Sequence, residues 1–348
     1  MGFRHLTLAR AAFGILAMLA GAFATPAAAQ RSIKVAIDGS LTAAHAPFLV
    51  AEDRGFYRAE ALDVSIEVMG PPPDAISRIA SGSADMGLGD MNAVLRFREQ
   101  NPGAPLKAVF IVYNKPPYAV VARKSRGIAK PTDLQGKRIG APPGEMATAL
   151  WPIFAKLNDI DTSKIKIENV AAAVREPMLA AGQIDAVTGT SFLVYLNLKQ
   201  RGVPLDDLLI LHMADYGLPL YGDAIIVNSS FAASHPDAVK GFLRAFLKGL
   251  RETVRAPARA VESVLKRNGS AHKDIELERL RMVIRDNIVT EEVQANGLGG
   301  VDLERLGRGI DLLTQSFKPK TRIEPSDLFD ESFLPSPAER RIVPARPG

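Results

Sequence analysis

The 348-residue chain contains no cysteine. That absence excludes disulfides, thiolate metal sites and a lipid anchor on an N-terminal cysteine. Long apolar runs are scarce too. The one obvious candidate, AAFGILAMLAGAF, lies within the first thirty residues and falls short of the about 20 residues that a membrane span needs. A dominant charge is lacking: 43 basic residues stand against 38 acidic ones, too even a balance to argue for nucleic acid. The five histidines show no metal-ligand spacing, and no glycine-rich phosphate loop or nucleophile elbow is present. The sequence therefore points to no catalytic residue, no metal and no cofactor.

What is present begins with a leader. Arg4 and Arg10 accompany the apolar run, and TPAAAQ supplies the small residues that a signal peptidase requires. Residues 1–29 are expected to be a secretory signal cleaved after Ala29, leaving a mature periplasmic chain that starts at Gln30. No twin-arginine pair occurs, which favours the general secretion route. The remainder, 47% hydrophobic and 23% charged over the whole chain, has the composition of a globular protein with room for two cores.

Along that remainder short β-like runs alternate with helical ones. SIKVAI, VSIEV and ADMGLG read as strands separated by two helices, and LKAVFIVYN and YAVVAR are further extended runs broken by Pro116 and Pro117. The pattern then restarts with KRIGA, a helix over EMATALWPIFAKL in which Trp151 reads as core, KIKIENV, a helix over REPMLAAG, and DAVTG. Such an order predicts mostly parallel sheets covered by helices. DAIIVN, Asp223 to Asn228, needs a sheet to join, and the first lobe is its best home. The expected division is lobe I over 30–115 and 221–334, lobe II over 116–220, with two hinge crossings. From Ser234 the chain turns helical, with a capping box at Ser234 and Asp237, an apolar stripe from Val239 to Leu250 and a basic face from Lys240 to Arg255. Residues 335–348 are expected to form a disordered tail.

The stretch HAPFLVAEDRGFY places Pro47 in the first turn of a short helix, where its missing N–H costs nothing, and Gly55 where the helix ends. This leaves His45 at the mouth of the helix with no structural duty of its own. In open α/β sheets ligands sit beyond the carboxyl ends of strands.

Several segments in order resemble one family. HAPFLVAEDRGFYRAEALDVSIE, ASGSADMGLGD, GIAKPTDLQGKRIGAPPGE, AGQIDAVTG and NSSFAASHPDAVKGFLRAFLKGL are similar to segments of periplasmic solute-binding proteins of ABC importers, in the group that handles sulfonates, taurine, nitrate and thiamine pyrimidine precursors. The likeness runs from about Ser32 to about Leu265. It implies a type II-like periplasmic-binding-protein fold, a monomer that traps a small molecule between its lobes and delivers it to an inner-membrane permease with a cytoplasmic ATPase. With the strand-end rule, it puts His45, Asp90, Met91, Asn92, Tyr113 and Asn114 at the first lobe's side of the cleft. From the second lobe come Glu145, Met146, Thr188, Thr190 and Ser191, while Tyr216 and Tyr221 flank the return crossing.

The resemblance leaves the ligand open between two chemistries. An oxyanion site would use helix N-termini and small hydroxyl residues, yet the loop opening the second lobe's first helix reads PPGEMA. Glu145, with Asp90 facing it, would set unpaired negative charge in the cleft. The GEM triplet instead resembles a glycine–glutamate–phenylalanine motif of the pyrimidine binders, with Met146 in place of the aromatic. There a carboxylate accepts from an exocyclic amine or ring N–H, and a tyrosine could stack on the ring. The same fold also occurs in eukaryotic thiamine-pyrimidine synthases, which depend on a cysteine cluster and a lysine-bound cofactor. A chain without cysteine does not fit that chemistry. A ligand-sensing domain is a third reading that sequence does not separate from import.

Overall fold

A computed structural model describes residues 30–70, 74–317 and 323–342; the expected signal segment lies outside the described residues. The first sheet is built from β1 (Arg31–Ile37), β2 (Leu62–Val68), β3 (Met86–Asp90), β4 (Leu106–Ile111) and a late strand, β10 (Asp223–Asn228), in the order β2-β1-β3-β10-β4. The second holds β5 (Tyr118–Arg123), β6 (Arg138–Ala141), β7 (Lys166–Asn169), β8 (Ala186–Thr190) and β9 (Leu208–His212), in the order β7-β6-β8-β5-β9.

The two orders match position for position. In each sheet four strands share a direction and the fourth in line runs against both neighbours: β10 between β3 and β4, β5 between β8 and β9. Helical crossovers return the chain to the same end of a sheet, which makes the pairs among β2, β1 and β3 and among β7, β6 and β8 parallel. β5 and β10 follow directly from the two crossings between lobes, so they enter from the opposite end. Both are buried along nearly their whole length, as strands covered on two faces should be.

The predicted stripe of the Pro236–Arg255 helix covers the first sheet. Phe246 lies 4.6 Å from Phe48 and 5.6 Å from Phe110 between ring centroids, and Phe242 stacks on Tyr57 at 5.2 Å. Part of the basic face is neutralised by the chain itself, with Arg244 at 2.6 Å and Lys248 at 3.5 Å from the Glu60 carboxylate. Gly249 lets this helix press on the Ala46–Asp53 helix. A Cβ there would overlap the Pro47 carbonyl oxygen and sit 2.9 Å from Ala51 Cβ. Gly249→Ala is therefore expected to lose about 1–3 kcal/mol through overpacking, despite a helix-propensity gain of about 1 kcal/mol. Urea denaturation tests this, and a stabilised variant would show that the two helices slide apart freely.

Two expectations are corrected, and one strand is added. The capping box at Ser234 does not form: His235 is the N-cap, Pro236 occupies the first turn, and the Ser234 hydroxyl donates to Ser230 O at 2.9 Å. A proline preset for the helix moves the start past the serine. The tail is not disordered through residue 342. Ser336 caps the Pro337–Arg340 helix, Leu298 N donates to Arg340 O at 2.8 Å and Arg340 Nη1 donates to Leu298 O at 3.0 Å. Lastly, β9 was not anticipated, because a short apolar run such as LLILH reads equally as buried helix.

Candidate ligand-binding cleft

The two sheets meet through the ends of their strands. Tyr118, the first residue of β5, donates its hydroxyl to Asp90 at the end of β3, and Asn92 Nδ2 donates to Tyr118 Oη at 3.0 Å, to Asp90 Oδ1 at 3.0 Å and to Tyr221 O at 2.6 Å. Lys115 and Asp215 pair at 2.7 Å alongside. The carboxyl ends of β3 and β8 thus come to the same junction, one from each lobe.

On the first lobe's edge Asp90 occupies the N-cap of the Met91–Gln100 helix and accepts from Asn92 N at 2.8 Å. Directly opposite it in the strand register is Asp223, and Asp38 follows β1 on the other side of β3. Sequence reasoning missed Asp38 and Asp223. Asp223 opens its strand, and only antiparallel pairing brings a strand's first residue to the others' last. Burial, then repulsion from Asp90 and Asp38, pushes the Asp223 carboxyl up to about 8. Burial also raises Asp90, against the hydrogen bonds from Tyr118 and Asn92. Asp38 is raised chiefly by burial, while its Oδ1 accepts from Ala75 N at 2.7 Å. His45 is 9% exposed, its Nδ1 accepts from Thr42 N at 3.2 Å, and burial lowers it to about 4, so it stands neutral. The nearby Arg279 is paired with Glu276 at 3.1 Å.

On the second lobe Glu145 is not the unpaired charge that the sequence suggested. Its Oε2 lies 2.7 Å from Arg175 Nη1, a residue that sequence reasoning also missed. Burial raises Glu145, and the Arg175 charge and hydrogen bond oppose the rise. Thr188 is fully buried and shares a hydrogen bond of 2.8 Å with Thr148. Thr190 is the half-buried N-cap of the Ser191–Gln200 helix, Ser191 is buried with its N–H on Pro117 O at 2.8 Å, and Met146 is half-buried beside the core.

Other candidates are occupied elsewhere. Met91 and Tyr113 are core residues, 3% and 2% exposed. Tyr216 packs its ring edge-to-face against Phe154 at 6.1 Å. Asn114 and Tyr221 belong to a knot at the hinge: Asn114 Nδ2 and Tyr221 Oη both donate to Glu292 Oε1, at 2.9 and 2.7 Å. Arg305 closes the knot, donating to Glu292 Oε2 at 2.8 Å, to the carbonyls of Asn114 at 2.7 Å and Leu220 at 2.6 Å, and lying 4.0 Å over the Tyr221 ring. Both lobe crossings are tied to the C-terminal segment there. The structure thus places Asp38, Asp90, Asn92 and Asp223 at the carboxyl edge of the first sheet, and Thr190, with the Glu145–Arg175 pair, at that of the second. Met91, Tyr113, Asn114 and Tyr221 are buried in packing or the hinge.

Two mixed sheets, each with one reversed strand and joined at their carboxyl ends, define the periplasmic-binding-protein class of folds. The chain belongs to the NMT1/THI5-like family, whose profile matches residues 42–260. It is 28% identical over 64% of its length to the 4-amino-5-hydroxymethyl-2-methylpyrimidine phosphate synthase of Schizosaccharomyces pombe, and spans 65% of that enzyme. It is 26% identical to the formylaminopyrimidine-binding protein of Halalkalibacterium halodurans, over 79% of this chain and 82% of that one. Among solved structures, the periplasmic aliphatic sulphonate binding protein SsuA from Escherichia coli superposes with a TM-score of 0.65 at 14% identity, covering 91% of this chain and 94% of that one. At that identity the likeness concerns the fold. No helix among the described residues is long and apolar enough to cross a membrane.

Proposed function

We propose that the protein is the exported, monomeric solute-binding component of an ABC importer, capturing an amine-bearing heterocycle of the pyrimidine type between its lobes and handing it to a permease without chemical change. The family and the fold support solute binding. The ligand class is carried by one observation: the facing edges are rich in carboxylates and poor in free cations. Asp38, Asp90 and Glu145 line them beside Asp223, which keeps its proton up to about pH 8, Arg175 is already shared by two carboxylates, and His45 is neutral. A sulfonate or nitrate would meet repulsion there, whereas an exocyclic amine or ring N–H would find acceptors.

Transport fits better than synthesis. The relative from Schizosaccharomyces pombe is named a synthase, but synthases of that kind rely on a cysteine cluster, and this chain has no cysteine. The basic, apolar and small-residue order of residues 1–29 supports export to the periplasm.

Glu145→Gln separates the ligand chemistries because it predicts opposite signs. With an aminopyrimidine, losing a charge-assisted bond worth about 1.5–3 kcal/mol should weaken binding roughly tenfold or more. With taurine, removing negative charge should tighten it. Calorimetry of wild type and variant against 4-amino-5-hydroxymethyl-2-methylpyrimidine and taurine decides. Tighter taurine binding in the variant, with no pyrimidine bound by either protein, would sink the heterocycle reading.

A further inference from the structure

We infer that Arg175 is the positioning residue of the second lobe's half-site: it holds the Glu145 side chain away from the helix that Glu145 begins, and so presents an acceptor and helix N–H donors side by side. The inference rests on the reading of Glu145 as a ligand contact.

Glu145 is the N-cap of the Met146–Leu157 helix by backbone conformation, with φ −69° and ψ 142°, and its carbonyl accepts from Ala149 N at 3.0 Å. The short N-cap side chains, Ser, Thr, Asp and Asn, fold back onto the first-turn N–H groups. The Glu145 side chain makes no such bond. Its Oε2 is taken instead by Arg175 Nη1 at 2.7 Å, while Oε1 has no hydrogen bond among the described residues and the side chain is 31% exposed. The helix start therefore keeps uncapped donors next to a free carboxylate oxygen. Anion-favouring N–H groups beside an anchored acceptor match a planar edge on which a ring nitrogen accepts and an adjacent amine donates, the edge of a 4-aminopyrimidine.

The guanidinium itself is tightly held. Its side chain is 6% exposed, Nη1 also donates to Thr188 O at 3.0 Å, and Nε donates to Glu176 Oε1 at 3.0 Å, with Nη2 at the same distance from that oxygen. β8 makes room for it with Gly189, where a Cβ would sit 2.7 Å from Arg175 Nη1. Arg175 and Glu176 are the charged groups acting on Glu145, and they act in opposite directions. An arginine planted beneath a strand, forked between a buried carboxylate and one at the cleft, fixes geometry that lysine's single ammonium cannot reproduce.

The test uses Arg175→Gln and Arg175→Lys, each with and without Glu145→Gln. In the ligand-free protein, the carbon-13 signal of the Glu145 carboxyl reports its titration. In Arg175→Gln its midpoint should rise by about one unit or more, since burial and Glu176 then act unopposed. An unchanged midpoint would overturn the inference whatever the ligand is. With 4-amino-5-hydroxymethyl-2-methylpyrimidine, Arg175→Gln should bind about tenfold more weakly, and the loss should shrink to about twofold or less in the Glu145→Gln background. Equal losses in both backgrounds would make Arg175 a merely structural residue. Arg175→Lys keeps the buried charge, so it should restore the Glu145 titration but only part of the affinity, and full recovery of affinity would refute the need for a fork. If wild type binds taurine and no pyrimidine, the ligand reading fails, and the titration still decides whether Arg175 positions Glu145.

Discussion

Replacing Arg305 with alanine is expected to lower the stability of the protein by about 3–5 kcal/mol, the range for breaking a partly buried ion pair and leaving its partner behind. The side chain is 14% exposed and serves Glu292, the Asn114 and Leu220 carbonyls and the Tyr221 ring together. Removing it takes the cation from a carboxylate that keeps only the neutral donors of Asn114 and Tyr221, and takes the charged donor from two carbonyl oxygens. Arg305→Lys should recover only part of the loss, because one ammonium cannot satisfy acceptors spread around a planar fork. Thermal and urea denaturation of the three proteins checks both statements. An alanine variant within about 0.5 kcal/mol of wild type, the range of an ordinary surface change, would show that the hinge does not depend on this knot.

The second expected result concerns pH. The unfolded Asp223 carboxyl ionises near the ordinary aspartate value of about 3.9, whereas in the folded protein burial, Asp90 and Asp38 lift it to about 8. The folded state therefore holds a proton that the unfolded state has released. The stabilisation associated with this group is fully present below about pH 4, and it is lost as the pH climbs towards 8. Asp223→Asn imitates the protonated form permanently. It should match wild type near pH 4 and exceed it near pH 8, by on the order of 2 kcal/mol once the partial exposure of the group is allowed for. Asp90, Asp38 and the hydroxyl of Tyr118 remain in the variant, and Asp90 ionises more readily there without a second carboxylate beside it. Melting curves at pH 4.5, 6 and 8 test it; a wild type more stable than the variant at pH 8 would contradict the sign. If this edge serves an amine-bearing ligand, the variant should bind it more weakly above about pH 8, where wild-type Asp223 is ionised.

Much of the architecture was legible before any coordinates. Strands such as β1, β3, β8 and β10 announced themselves as apolar runs bounded by glycine or aspartate, and DAIIVN was assigned to the first sheet because it had no other partner. The candidate positions were legible only where strand order sets them: Asp90 ends a strand and Glu145 begins a helix, the positions at which the strand-end rule looks. Arg175 escaped because REPMLAAG carries no trace of Gly189, fourteen residues beyond Arg175, which leaves space for its guanidinium. Asp223 escaped because its neighbours depend on strand direction, which periodicity does not encode. The tyrosines misled for a related reason. Tyr113 and Tyr221 lie beside the crossings in sequence, but their rings fill the interior and the hinge, at 2% exposure each.

The late strand of the first sheet, β10, has a consequence for how the chain acquires its shape. All five strands of the second sheet lie in one uninterrupted stretch, Tyr118 to His212, whereas the first sheet lacks the strand between β3 and β4 until Asp223–Asn228 has emerged. A polypeptide delivered amino end first thus completes its middle before its beginning. The earlier lobe must wait, with β3 and β4 unjoined edges, for a segment more than a hundred residues downstream of β4. Pairings of such long sequence separation form slowly and leave sticky edges exposed meanwhile. Completion of the first lobe is therefore set by the arrival of one six-residue strand and of the helix, Pro236–Arg255, that seals it.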